Sequence, residues 1–257
     1  MILTATLASF LAGQATSAGA LPVFFLKSLK ARTQNAFLGF AAGVMLAASF
    51  FSLIIPGLEA AGELHGGSKT VAALIIASAV LLGAGTLHLL NRLAPHEHFI
   101  SGPRSGAERS KLNRIWLFVI AITLHNFPEG LAVGVSFGSP DQTAGYATAF
   151  GIGLQNVPEG LAVALSLAAV GYSRLFSFLV AVLTGLIEPV GGFLGIGLIS
   201  LSSELLPWGL GFAGGAMIWV VSSEIIPETH RDEGEGVATF ALMLGLAVMM
   251  SLDWIFG

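Results

Sequence analysis

The chain contains no cysteine and little charge: only 10% of its 257 residues are Asp, Glu, Lys or Arg, against about 25% in a soluble domain. Without cysteine there is neither a disulfide framework nor a thiolate metal site. Any bound metal must rely on imidazole, carboxylate, amide or thioether. The 11 Lys and Arg residues form no basic tract, which excludes an electrostatic nucleic-acid surface. A formal net charge of −4 selects no partner. In place of charge the chain has 54% hydrophobic residues and 33 glycines. That is the composition of an integral membrane protein whose helices approach one another closely.

Eight apolar segments, at about 3–26, 36–58, 70–94, 115–138, 143–169, 174–201, 207–227 and 236–256, meet the roughly 20 residues needed to cross the hydrocarbon core. The first lacks the basic start of a secretory signal and is read as a retained helix. If the N-terminus is outside, the inner connections hold Lys27, Lys30, Arg32, Arg92, Arg104, Arg109, Lys111, Arg114, Arg174 and Arg231, and only Lys69 falls outside. The positive-inside bias therefore predicts a multi-pass protein with both termini on the outer face. The longest inner connection, 95–113, includes Pro95-His96-Glu97-His98 and has no apolar period. It is read as a flexible cytoplasmic loop within a single transmembrane domain, 1–257. Weak metal collection by His96 and His98 and an ordinary solvated loop account for it equally well.

One motif is written twice, thirty residues apart: His125-Asn126-Phe127-Pro128-Glu129-Gly130-Leu131-Ala132-Val133 and Gln155-Asn156-Val157-Pro158-Glu159-Gly160-Leu161-Ala162-Val163. Eight of twelve positions are identical between 125–136 and 155–166. On a helix, residues three or four apart share a face. Each copy therefore presents a short ledge: His125, Asn126 and Glu129 on one helix, Gln155, Asn156 and Glu159 on the other. Pro128 and Pro158 remove a backbone donor and displace the carbonyls of Leu124 and Leu154, which in lipid need another partner. Fainter echoes link Gly39–Met45 to Gly211–Met217 and Ile54-Ile55-Pro56 to Ile225-Ile226-Pro227. The expected architecture is all-α, with eight transmembrane helices. Helices 1–3 and 6–8 are inverted copies around a central antiparallel pair, 4 and 5, and such repeats place a substrate site near the midplane.

Glu188 precedes Pro189 in the sixth segment, and Glu224 stands three residues before Pro227 in the seventh. No Lys or Arg lies within these spans to neutralise the carboxylates. A charge at the bilayer centre costs about 2.5 kcal/mol or more and marks a functional site by default. Clustered carboxylates in low dielectric must take up protons or bind cations. Imidazole, carboxylate and amide together suit zinc, with cadmium, manganese or ferrous iron as alternatives; a thioether from Met45 would tilt selection toward softer ions. The metal is expected as a bound substrate, with no prosthetic group. Glu224, Glu228 and His230 are candidates for an inner transport path, although a solvated helix end explains Glu228 and His230 nearly as well. By residue type Met45 and Met217 are packing residues.

The doubled motif resembles the signature of the ZIP (Zrt-, Irt-like) family of divalent-metal transporters, in its bacterial branch, and the resemblance extends over nearly the whole chain. It implies import of zinc and related ions across the bacterial inner membrane, with two adjacent metal positions between helices four, five and six. The same resemblance assigns His125, Glu129, Gln155 and Glu159 to one position, with Met45 nearby. It assigns Asn126, Asn156 and Glu188 to the other, bridged by Glu129 and Glu159. The fifth helix departs from the wider pattern, with Gln155 where many members carry histidine and Asn156 where many carry an acid. The rivals are a membrane-embedded di-metal enzyme and a metal sensor without net transport. Neither the Glu-x-x-His pairs of bundle di-metal enzymes nor the His-Glu-x-x-His of zinc proteases occurs, so no enzyme is expected. The expected partners are divalent ions and the lipid bilayer; glycine-rich helix faces are compatible with a homodimer without demanding one.

Overall fold

The computed structural model describes residues 1–26, 30–93, 106–139, 142–229 and 235–256. Among these the regular elements are all helical: α1 (Ile2–Ala20), α2 (Ala31–Ala47), α3 (Ile55–Leu64), α4 (Lys69–Leu93), α5 (Gly106–Ser136), α6 (Gln142–Ala169), α7 (Arg174–Gly185), α8 (Glu188–Leu201), α9 (Leu205–Val220), α10 (Ile226–Thr229) and α11 (Glu235–Phe256). Seven helical stretches are long and apolar enough to cross a membrane, namely Ile2–Phe24, Arg32–Leu64, Lys69–Leu90, Gln142–Ala169, Arg174–Leu201, Leu205–Ile225 and Glu235–Ile255. They coincide with seven of the eight segments read from the sequence. The remaining one, 115–138, lies in α5, which carries the first motif.

Three of the expected spans are not uniform helices. A π-helical stretch, Ala48–Ile54, joins α2 to α3, and another, Val221–Ile225, joins α9 to α10. Each leads into an Ile-Pro pair, Ile55-Pro56 or Ile226-Pro227. Proline withholds a donor and crowds the carbonyl one turn back, and a wider π turn is one way a helix absorbs that strain. The sixth segment, expected as continuous, breaks at Leu186-Ile187 into α7 and α8. Pro189 then falls in the first turn of α8, where a missing N–H costs nothing. Pro128 and Pro158, by contrast, lie inside unbroken α5 and α6.

The loop expected over 95–113 needs correction. Residues 95–105, with His96 and His98, lie outside the described residues, but 106–113 form the start of α5. Ala107, Glu108, Arg109, Lys111 and Leu112 are good helix formers, and no proline follows Pro103 before Pro128. The helix therefore runs on beyond its apolar stretch.

Packing divides the helices into two groups. α1 lies against α6 and α8, and α5 against α8; α2 lies against α11, and α4 against α9. Glycines at the crossings bring backbones into contact, as membrane bundles require. A Cβ on Gly130 would collide with the Glu188 carbonyl, and one on Gly160 with that of Thr16. In the second group, Gly43 abuts the Leu242 carbonyl and Gly215 that of Val80. At the end of the bundle where Arg174 donates to the Phe24 carbonyl, Trp116 Nε1 donates to the Tyr172 hydroxyl at 2.8 Å. Tyr172 stacks on Phe176 with ring centroids 4.9 Å apart. Amphipathic rings of this kind suit a membrane–water boundary.

Candidate metal site

Helices α5 and α6 form a hairpin. The Thr148 and Ser136 hydroxyls are hydrogen-bonded at 3.2 Å near the turn, and Gln155 Nε2 donates to Glu129 Oε1 at 2.5 Å farther in. The partners move along the chain in opposite senses, so the helices run antiparallel and the two motif copies face each other. Asn126, Glu129, Gln155 and Asn156 are fully buried and Glu159 is 1% exposed. The expected ledges thus meet inside the protein and not at the lipid face.

Glu188 joins them because of the break before α8. It is the first residue of that helix, fully buried, where the helix dipole favours a negative group. Its Oε1 accepts from Asn156 Nδ2 at 2.7 Å, and the same nitrogen donates to the Ala12 carbonyl at 2.9 Å. Ser9 Oγ of α1 donates to the Glu188 main-chain carbonyl at 2.8 Å. The first helix therefore builds part of the site, which sequence reasoning missed. The available signal was a run of buried small and hydroxyl residues (Ser9, Ala12, Gly13, Thr16, Gly19) in a helix with little amphipathic character.

These contacts leave much unsatisfied. Asn126 Oδ1, Glu129 Oε2, Gln155 Oε1, Asn156 Oδ1, both carboxyl oxygens of Glu159 and Glu188 Oε2 are buried with no hydrogen-bond partner among the described residues. An unpaired buried polar group costs about 1–3 kcal/mol, and more when charged. Glu129 also lies within electrostatic reach of Glu159 and Glu188, and Glu188 within reach of Glu159. A divalent cation resolves both problems at once, supplying oxygen partners and cancelling the mutual repulsion. Among the described residues, no three His, Asp or Glu side chains stand together as a ready cage. The carboxylates are interleaved with amides, Gln155 donating to Glu129 and Asn156 to Glu188.

Met45 is fully buried on α2, in the core cluster that also holds Ala132 and Ile152. α2 packs against α6. Met217 of α9 belongs to the same cluster. Glu224 occupies the π turn between α9 and α10 and is partly buried. The backbone of His125 stands one turn before Glu129 and that of Glu228 belongs to α10. The side chains of His125 and Glu228, and the whole of His230, lie outside what the structure describes.

Comparison with known proteins bears on this geometry. Residues 101–253 match the family described as ZIP Zinc transporter. The chain is 49% identical to "Zinc transporter GufA" of Myxococcus xanthus over 251 residues, covering 97% of this chain and 98% of that protein. It is 49% identical to "Zinc transporter ZIPB" of Bordetella bronchiseptica over 243 residues, covering 95% of this chain and 78% of that one. With the human "Zinc transporter ZIP11" it shares 34% identity, covering 98% of this chain and 97% of the relative. A doubled His/Gln-Asn-x-Pro-Glu-Gly motif facing itself across an antiparallel pair, and relatives matched end to end, have one reading: the chain belongs to the ZIP family of zinc transporters.

Proposed function

We propose that this chain imports divalent transition-metal ions, zinc foremost and cadmium, ferrous iron and manganese as alternatives, across the bacterial inner membrane into the cytoplasm. The observation that carries the reading is the set of buried, partnerless oxygens converging from α5, α6 and α8. One metal position takes His125, Glu129, Gln155 and Glu159, flanked by Met45. The second takes Asn126, Asn156 and Glu188, with Glu129 and Glu159 bridging. The whole chain works as one transport domain, and α5 supplies the eighth membrane crossing.

An inverted repeat is supported by the packing. Gly130 of α5 sits on the Glu188 carbonyl of α8 as Gly160 of α6 sits on the Thr16 carbonyl of α1. Gly191 meets the Phe127 carbonyl as Gly19 meets that of Val157, and Gly39 and Gly43 on α2 correspond to Gly211 and Gly215 on α9. The π turns before Ile55-Pro56 and Ile226-Pro227 add a further matched pair. Two equivalent halves give two near-equivalent states, as alternating access needs. A cavity of about 950 Å³ lined by Glu59, Glu63 and Asp253, with Ser52 Oγ donating to Asp253 Oδ1 at 2.7 Å, offers an entrance at the outer ends of α3 and α11. Glu224, Glu228 and His230 serve the inner exit.

The test is uptake of radioactive zinc or cadmium by purified protein in sealed vesicles, with unlabelled metals as competitors. Uptake above protein-free vesicles is expected, with zinc the strongest competitor; saturable binding without accumulation would make the protein a sensor instead. Metal binding should also release protons, since ligands must be deprotonated. A dye-reported acidification on adding zinc to weakly buffered protein checks this.

Asn156→Asp probes the second position. In the metal-free protein it exchanges a donor to Glu188 for a like charge, so the melting temperature should fall. With zinc present the added carboxylate is a stronger ligand than the amide, so the zinc-induced rise in melting temperature should exceed that of the parent. A smaller rise would place Asn156 outside the coordination shell.

A further inference from the structure

The hydroxyl of Thr16 stands apart among the buried threonines. Thr148, Thr184 and Thr229 each donate to a carbonyl about one turn back, those of Ala144 at 2.8 Å, Ala181 at 2.8 Å and Ile226 at 3.0 Å. That is the usual recourse of threonine in a helix. Thr16 is fully buried, yet its Oγ1 has no hydrogen-bond partner among the described residues. The carbonyl one turn back, that of Ala12, is instead engaged by Asn156 Nδ2. A buried hydroxyl that takes neither nearby carbonyl as a partner needs an explanation.

Its surroundings identify what that is. The Thr16 carbonyl is the surface on which Gly160 packs, directly after Glu159. A Cβ on Gly185, before the break leading to Glu188, would lie 3.1 Å from the Thr16 Cβ. One on Gly13, a turn earlier in α1, would lie 3.3 Å from Glu188 Oε1. Thr16 is thus wedged between the second motif and the Glu188 break. The matched glycine contacts place it in α1 where Glu188 stands in α8.

We infer that Thr16 Oγ1 is a direct oxygen donor to the transported cation. The inference rests on the transport reading above and extends the site to the first helix. A neutral hydroxyl completes a coordination sphere without adding charge that would hold the ion too tightly. It favours oxygen-preferring ions over softer ones.

Thr16→Val keeps the side-chain shape and removes the oxygen, whereas Thr16→Ser keeps the oxygen. Purified parent and variants are compared by equilibrium binding of radioactive zinc, by melting temperature with and without zinc, manganese or cadmium, and by vesicle uptake. Thr16→Val should melt no lower than the parent without metal, because an unpaired buried hydroxyl is gone. Its zinc dissociation constant should rise about tenfold, the lower end of the loss seen when metal-site support is removed. Manganese-induced stabilisation should shrink more than cadmium-induced stabilisation, and Thr16→Ser should recover most of the loss. Unchanged zinc binding in Thr16→Val overturns the inference, as does equal damage in the Val and Ser variants, which would mark a packing role. If Thr16→Val does not fold, Thr16→Ala carries the same comparison. A parent protein that neither binds nor accumulates zinc overturns the transport reading itself. A parent that does both, beside an unimpaired Thr16→Val, overturns only the role of Thr16.

Discussion

Glu159→Ala should reduce zinc uptake to that of protein-free vesicles while leaving the protein as stable as its parent, or more so, when no metal is present. Both halves follow from the same atoms. The two carboxyl oxygens of Glu159 are buried without protein partners, so they give nothing back to the fold in the empty state. Removing them relieves a desolvation cost of about 1–3 kcal/mol, more for a charged group. It also relieves repulsion on Glu188 and Glu129. A modest cavity penalty opposes this gain. On the proposed assignment the metal, however, loses one of its two bridging carboxylates, and the neighbouring amides are too weak to replace it. Uptake and thermal unfolding of detergent-purified protein settle it. Normal uptake would remove Glu159 from the pathway, and a large loss of metal-free stability would make it a structural residue.

Gly130→Val should do the opposite and abolish both folding stability and uptake. A side chain at Gly130 collides with the backbone of Glu188, carbonyl, Cα and all. Backbone has no rotamer to yield, so α8 must move off α5. Overpacking costs about 1–3 kcal/mol where side chains can adjust, and this contact has no such slack. The displaced element carries Glu188 and the carbonyl held by Ser9, so what survives unfolding should bind zinc poorly. Gly62→Ala is the control, since nothing lies within 4 Å of a Cβ there. A Gly130→Val protein that melts and transports like the control would contradict the close approach of α5 to α8.

The sequence made the outline of this molecule plain because lipid leaves so few options. A stretch that must satisfy its own backbone becomes a helix, and of the eight segments picked out by apolar length seven coincide with helical stretches long and apolar enough to cross. The facing carboxylates were legible because a repeated Asn-x-Pro-Glu-Gly has no packing reason to recur. Other features obey local geometry that residue types do not announce. Pro56, Pro128, Pro189 and Pro227 look alike in sequence, yet one kind of break precedes Pro56 and Pro227, another precedes Pro189, and none occurs at Pro128. Ser9 and Thr16 were not singled out, because a hydroxyl in a Gly/Ala-rich helix acquires meaning only once its neighbour is known.

The grouping of the helices has a consequence for how an ion would travel. Ser9, Glu129, Gln155, Asn156, Glu159 and Glu188 all belong to the α1–α5–α6–α8 group, whereas Met45 lies on α2 of the other. If the two groups slide past each other, the cargo stays with its oxygens as a passenger stays in a seat. The scenery that changes is the wall bearing Met45, and with it the side of the membrane to which the door opens.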